Sequence, residues 1–419
     1  MRNWRQALTL TMVVLTMGCV NPHSKKIRYQ IRPEYSVEDP QFLRSIGQLL
    51  GPQIVPGNRA TALQNGEEIF PAMLEAIRGA RKTIDFETYI YWSGAIGQEF
   101  ADALAERARA GVKIHILLDW LGAKKISNAY VQAMKAAGVE VEVYRPLHWY
   151  SPFRINHRTH RKLLIVDGKI GFTGGAGIAD IWQGAGDSPN HWRDSHFRLE
   201  GPAVAQMQAA FMDNWLKTKA EVLHGKDYFP ELKKAGDDLA QVFQSSPREG
   251  SESVELMYLL SIAAAKKNIR LGAAYFVPHK VSIEALLSAR KRGVEVEIIV
   301  PGNYSDVKLV RHASRSSWGR LLQAGVRIYE FGPTMYHCKV MIVDDVWVSV
   351  GSANFDARSF RLNDEANLNI FSRPFAAQQI ATFEMDKAQS TEVKFEKWRR
   401  RSNWKRFKET FANLFRPQL

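Results

Sequence analysis

One short pattern occurs twice in this chain of 419 residues, and the duplication limits the fold more than any other feature. His160-Arg161-Lys162 is followed by Asp167, and His337-Cys338-Lys339 is followed at the same spacing by Asp344. Each copy leads at equal distance into a small-residue turn, Gly174-Gly175-Ala176-Gly177 in the first and Gly351-Ser352-Ala353-Asn354 in the second. The repetition extends upstream, where 77–84 parallels 262–269, 108–114 parallels 290–296, and 136–141 parallels 322–328. In these pairs a helical stretch ends, mostly at Gly, and a strand begins. The rhythm predicts α/β architecture, a mixed sheet flanked by helices. Two such lobes, each carrying one copy, are expected to pack about a pseudo-two-fold axis. The active site then falls at their interface, because neither lobe holds both histidines.

The chemistry follows from strand geometry. Leu163-Leu164-Ile165-Val166 and Val340-Met341-Ile342-Val343 are apolar, β-branched runs closed by Asp-Gly or Asp-Asp, so they are expected to be buried strands. Side chains two apart share a face, so His160 aligns with Lys162 and His337 with Lys339. Asp167 and Asp344 complete the motifs but lie at odd spacing from their histidines, so their first expected role is structural, bonding backbone donors or fixing the turn. Two His/Lys pairs facing each other suit a tetrahedral phosphodiester. One imidazole attacks phosphorus, the other protonates the leaving oxygen, and the lysines neutralise the non-bridging oxygens. This chemistry requires neither metal nor cofactor. Cys338, between His and Lys, is expected to be a small buried residue.

With those residues in view, the chain resembles the phospholipase D superfamily and, within it, the bacterial cardiolipin synthases. The likeness is carried by NHRTHRKLLIVDGKIGFTGG with GIAD after it, NHWRDSHFRLEGPAV, YHCKVMIVDDVWVSVGSANFDARSF and RLNDEANLNIF. The resemblance implies a two-step transfer in which one histidine becomes a covalent phosphatidyl-histidine and the other serves as acid, then base. His160 is assigned as nucleophile and His337 as acid/base, with the pseudo-symmetry leaving the order open. By the same resemblance Lys162, Lys339, Ser352 and Asn354 bind phosphate, while Asp194 and Glu365 are carboxylates that orient the imidazoles. The chain departs from the family at Gly177, where Asn is common, and at Gly175, where Ser is common. Backbone N–H groups of the Gly174-Gly175 turn are then the expected substitute donors.

The chain ends and the charge speak to location. Met1 to Arg5 is basic and Ala7 to Met17 is an apolar run too short to span a bilayer, leading to Gly18-Cys19. This predicts a lipoprotein-type signal peptide over 1–18 and a lipid anchor at Cys19, hence a membrane-associated, extracytoplasmic protein. The remaining divisions are an N-terminal extension (19–60), a first lobe (61–240), a second lobe (241–388) and a basic amphipathic tail (389–419). Polar residues from Lys234 to Ser251 are the expected inter-lobe linker. A formal charge of +14 favours polyanionic partners. Cationic residues interleaved with Trp398, Trp404, Phe407 and Phe411 favour an anionic phospholipid surface, with no nucleic acid expected. The aromatic loop Leu147 to Phe153 is a second candidate for lipid contact. Three functions fit: a phosphatidyltransferase of the cardiolipin synthase type, a phospholipase D using water or a small alcohol (a nuclease being the variant least in keeping with a lipid anchor), and a non-catalytic phospholipid-binding protein.

Overall fold

The computed structural model describes residues 29, 31, 32, 34–146, 156–246 and 253–419. Cys19, the signal segment and the loop Leu147 to Phe153 lie outside the described residues. The first half supplies β1 (Val55–Gln64), β2 (Thr83–Thr88), β3 (Lys113–Asp119), β4 (Glu140–Tyr144), β5 (Arg158–Thr159), β6 (Leu163–Val166), β7 (Ile170–Gly174) and β8 (Ser195–Glu200). The second supplies β9 (Asp238–Ser245), β10 (Asn268–Ala273), β11 (Glu295–Pro301), β12 (Arg327–Phe331), β13 (Lys339–Val343), β14 (Trp347–Gly351), β15 (Asn363–Phe371) and β16 (Ser390–Glu392).

These strands form one continuous mixed sheet in the order β16-β12-β11-β10-β13-β14-β15-β9-β1-β8-β7-β6-β2-β3-β4, with β5 attached to β15. In each half three strands run parallel, β2-β3-β4 and β10-β11-β12. The motif strands β6 and β13 pair antiparallel with the first of these. β1 and β9 hold corresponding places and pair with each other antiparallel, which brings the halves together about the expected pseudo-two-fold.

Both motif strands are buried on both faces, as continuous apolar runs require when helices cover both sides of a sheet. One face of the first half is covered by Asn65–Gly79 and Ala95–Arg109, whose Ile69, Phe70, Phe100 and Leu104 are nearly inaccessible. Ser253–Ala264 and Lys280–Lys291 do the same for the second half. On the opposite face, Val204–Lys219 and Arg373–Ala388 share a core that crosses the midline, including Phe211, Trp215, Phe197, Leu368 and Phe375. The Phe197 and Phe375 rings, one from each half, lie 6.1 Å apart. Neither half buries this surface alone, so the two are one folding unit.

Three expectations are corrected. The stretch read as a linker contains β9, at the centre of the sheet between β1 and β15. Gln241 shows how a polar residue can sit inside the fold: it is fully buried and its Oε1 accepts from Asn369 Nδ2 at 3.0 Å. The lobe boundaries shift accordingly, with β1 and β9 each beginning before residues 61 and 241. The N-terminal extension packs on the second half, where Val37, Phe42 and Ile46 enter the core and Phe42 meets Trp347 edge-on at 5.0 Å. The tail helix Asn403–Asn413 is docked as well as amphipathic. Ala412 packs with Val277, Val310 and Ala313, and Glu409 pairs with Arg401 at 2.6 Å and Arg315 at 3.6 Å. Its outer face leaves Trp404, Phe407, Phe411 and Leu414 between 51% and 68% exposed. Among the described residues no helix is long and apolar enough to cross a membrane.

Candidate active site

Each motif histidine precedes its strand in an extended segment held by the opposite half. β5 pairs in parallel with the start of β15, and the His160 N–H donates to Asp364 O at 2.9 Å. In the mirror arrangement Arg193 bridges to Tyr336, and the His337 N–H donates to Arg193 O at 2.7 Å. Each histidine is thereby laid beside the residue that precedes the other half's carboxylate.

The side chains complete this exchange. His160 Nδ1 lies 3.0 Å from Glu365 Oε2, and His337 Nδ1 lies 2.7 Å from Asp194 Oδ2. Both carboxylates are essentially inaccessible. With Nδ1 engaged by the carboxylate, the tautomer is set and Nε2 is turned to the chemistry, that of His337 with Lys339 Nζ 3.2 Å away. Lys162 Nζ donates to His160 O at 2.7 Å and Lys339 Nζ to His337 O at 2.6 Å. The motifs act on each other electrostatically: Lys339 depresses both His160 and Lys162, Asp194 supports the charge of Lys162, and Glu365 supports that of Lys339. His160, Lys162, His337, Lys339, Asp194 and Glu365 thus form one electrostatically connected cluster in the space where the two halves meet.

Burial dominates the protonation of this space. It pushes His160 down to about 4, with Glu365 opposing and Lys162 adding to the shift. Burial and Lys339 likewise hold His337 below the usual imidazole range. Lys162 is pulled by burial down to about 7. Burial pushes Asp194 and Glu365 upward, but their histidines and the nearby lysines outweigh it, so both carboxyls stay below the ordinary range. These shifts leave neutral imidazoles on ionised carboxylates, and an incoming phosphate anion would favour the protonated forms of His337 and Lys162.

Glu365 accepts from Ser352 Oγ at 2.5 Å, Ser359 Oγ at 2.7 Å and Asn363 Nδ2 at 3.2 Å. Asp194 accepts from Trp182 Nε1 at 2.9 Å and the Ser195 N–H at 2.8 Å. Several assignments change in consequence. Ser352 commits its proton to Glu365 and so orients the carboxylate instead of binding phosphate. Gly175 cannot carry the matching serine, because a Cβ there would sit 2.1 Å from Asp194 Oδ1. Its N–H is spent on Ser195 O at 3.1 Å, so it is not a free phosphate donor, and Gly174 ends β7 opposite His196. Gly177 is equally constrained: a Cβ would lie 2.8 Å from Ile90 Cβ. The departure from Asn is therefore a repacking that leaves both imidazole–carboxylate pairs intact. Asn354 retains an amide oxygen with no hydrogen-bond partner.

Asp167 and Asp344, counted with the catalytic motif residues, stand away from the chemistry. Asp167 accepts from the N–H groups of Arg81, Lys82 and Thr83, and Asp344 from those of Lys266, Lys267 and Asn268. Their odd spacing from the histidines is the reason, and the structural role expected first is the one observed. Cys338 is buried beside Ser195 and Arg193 O, with burial pushing its thiol up to about 12. Sequence reasoning missed Trp182 and Ser359, although both lie seven residues after corresponding turn positions, Gly175 and Ser352. It also missed two buried arginines. Arg161 reaches Ala210 O, Asp213, Ser245 O and Ser246, and Arg193 clamps Asp386 at 2.8 and 3.1 Å. Among the described residues no cluster of three or more His, Cys, Asp or Glu is arranged to hold a metal ion.

Comparison with known proteins agrees with this geometry. The family described as "Cardiolipin synthase, PLD-like domain" matches residues 73–182 and 258–387, one segment in each half. Cardiolipin synthase 1 of Bacillus cereus is 35% identical over 368 residues, covering 85% of this chain and 72% of that protein. The major cardiolipin synthase ClsA of Bacillus subtilis is 33% identical over 369 residues, covering 86% and 76%. In fold, the chain is similar to phosphatidylserine synthase of Haemophilus influenzae Rd KW20, with a TM-score of 0.71 at 15% identity, covering 90% of this chain and 100% of that one. Two motifs whose histidines each pair with the other half's carboxylate, a family match in each half and relatives alike over most of the chain lead to one placement: the protein is an enzyme of the phospholipase D superfamily and belongs to its cardiolipin synthase family.

Proposed function

We propose that this enzyme moves a phosphatidyl group from one phospholipid to a hydroxyl of another, forming cardiolipin when phosphatidylglycerol is both donor and acceptor. The observation that carries this reading is the pair of imidazole–carboxylate couples, each built from both halves, around two buried lysines. His160 Nε2 attacks phosphorus, forming a P–N bond, as His337 delivers a proton to the departing alkoxide. The acceptor hydroxyl then gives its proton to His337 and attacks phosphorus, breaking the P–N bond and restoring both imidazoles. Lys162, Lys339 and the Asn354 amide supply the polar groups for the non-bridging oxygens.

The membrane part of the reading rests on the tail helix. Trp404, Phe407, Phe411 and Leu414 form an exposed apolar stripe, flanked by exposed Lys405, Arg406 and Lys408. Such a face suits an anionic phospholipid surface better than nucleic acid. With a lipid anchor at Cys19, this would hold the enzyme on the extracytoplasmic side of a membrane.

The test is purified enzyme in detergent with labelled phosphatidylglycerol and a chelator. Cardiolipin is the expected product, and His160→Ala and His337→Ala should each lower turnover by on the order of 10³-fold or more while the far-UV circular dichroism stays native. Activity that needs added divalent metal, or near-normal turnover in either variant, would overturn the shared-site mechanism.

A further inference from the structure

The two motif histidines have different neighbours. Asp306 lies in the loop between β11 and the helix Lys308–Ser316, exposed at the surface. Its Oδ2 accepts from the Tyr275 hydroxyl at 2.5 Å, and its Oδ1 accepts from the Val307 N–H at 2.8 Å. The Tyr275 ring stands edge-on to the His337 ring, with centroids 6.4 Å apart. The negative charge of Asp306 reaches His337, Lys339 and Tyr89. In the first half the corresponding place is taken by Ile90: its carbonyl receives the N–H of Ile178 as Tyr275 O receives that of Phe355. Tyr89 stands over His160 instead, with ring centroids 5.1 Å apart, and interacts with Arg158.

A carboxylate at the mouth of a phosphate site repels the phosphate and accepts from hydroxyls. What suits it is the uncharged, hydroxyl-bearing part of a headgroup, on the His337 side of phosphorus. We propose that Asp306, held by Tyr275, is a specificity-determining residue that binds a hydroxyl adjacent to the one entering or leaving at phosphorus, so that polyol headgroups are preferred. In an in-line displacement the nucleophile and the exchanged oxygen lie on opposite sides of phosphorus. A polyol subsite beside His337 therefore makes His337 the acid/base and His160 the nucleophile. The inference rests on the phosphatidyltransfer reading above.

The two are tested together but fail separately. Labelled phosphatidylglycerol is incubated with the full-length enzyme and an equimolar mixture of propylene glycol and propanol, which differ by one adjacent hydroxyl, and the two transfer products are counted in the same tube. Wild type is expected to favour the diol. Asp306→Ala should lower the diol-to-propanol product ratio about tenfold, and Asp306→Asn, which keeps an acceptor oxygen, should lower it less. A ratio unchanged in Asp306→Ala would overturn the subsite, whether total transfer fell or not, because a purely structural loop would affect both acceptors alike. Absence of any phosphatidyl transfer by wild type would sink the transferase reading itself, and the subsite with it.

Discussion

Lys162 carries its charge under unusual conditions. Burial pulls its ammonium down to about 7, so below that value Lys162 holds the proton and above it becomes neutral. An anion placed against it raises the value again. Binding of sulfate, which itself stays fully ionised, is therefore expected to take up about one proton near pH 8. Calorimetry in two buffers of different ionisation enthalpy measures this uptake, and Lys162→Arg, which remains charged throughout, should reduce it. At this scale the sequence was informative about identity: His160, Lys162, His337, Lys339, Asp194 and Glu365 all join the cluster built from both halves. It could not reveal how each is served. Whether Ser352 points at phosphate or at Glu365, and whether Gly175 leaves room for a side chain, depends on atoms from segments remote in the chain.

At the level of elements, Asp167 and Asp344 tie the end of each motif strand to the start of its neighbour. Both sit at positive φ, 52° and 51°, and each gathers three backbone N–H groups. Asp344→Ala removes the buried carboxylate that those donors share, and should cost about 2–3 kcal/mol. Asp344→Asn keeps one acceptor, tolerates the left-handed conformation and should cost less. Urea unfolding midpoints measure both. The motif strands themselves were legible from unbroken β-branched runs, since a strand covered on both faces has no polar side to betray it. β9 was not legible: DLAQVFQS reads as a polar connector until Gln241 meets Asn369. Periodicity reports solvent, and a central strand with satisfied amides has none.

Over the whole molecule, the docked tail changes how membrane attachment is to be tested. Trp398 lies beneath the helix Trp318–Gln323, donates to Arg315 O at 3.1 Å and carries the Arg401 guanidinium 3.6 Å from its ring, so removing residues beyond Lys394 would unpack the second half. Replacing Trp404, Phe407, Phe411 and Leu414 by Ser touches only the exposed stripe. That variant should keep its unfolding midpoint yet bind vesicles containing anionic phospholipid at least about tenfold more weakly, and the difference should shrink in neutral vesicles. Equal binding would reduce the stripe to ordinary surface. The duplicated motif, by itself, determined an α/β chain of two related halves, the candidate residues and the class of reaction. Those follow from local order, because spacing along a strand decides which side chains share a face. Only the tertiary structure decided that Glu365 serves His160 and Asp194 serves His337, that β9 welds the halves into one sheet, and that Asp306 meets Tyr275 on the His337 side. The first two are pairings between segments far apart in the chain, chosen by packing across the midline, and the third is set by the loop after β11 folding back within the second half.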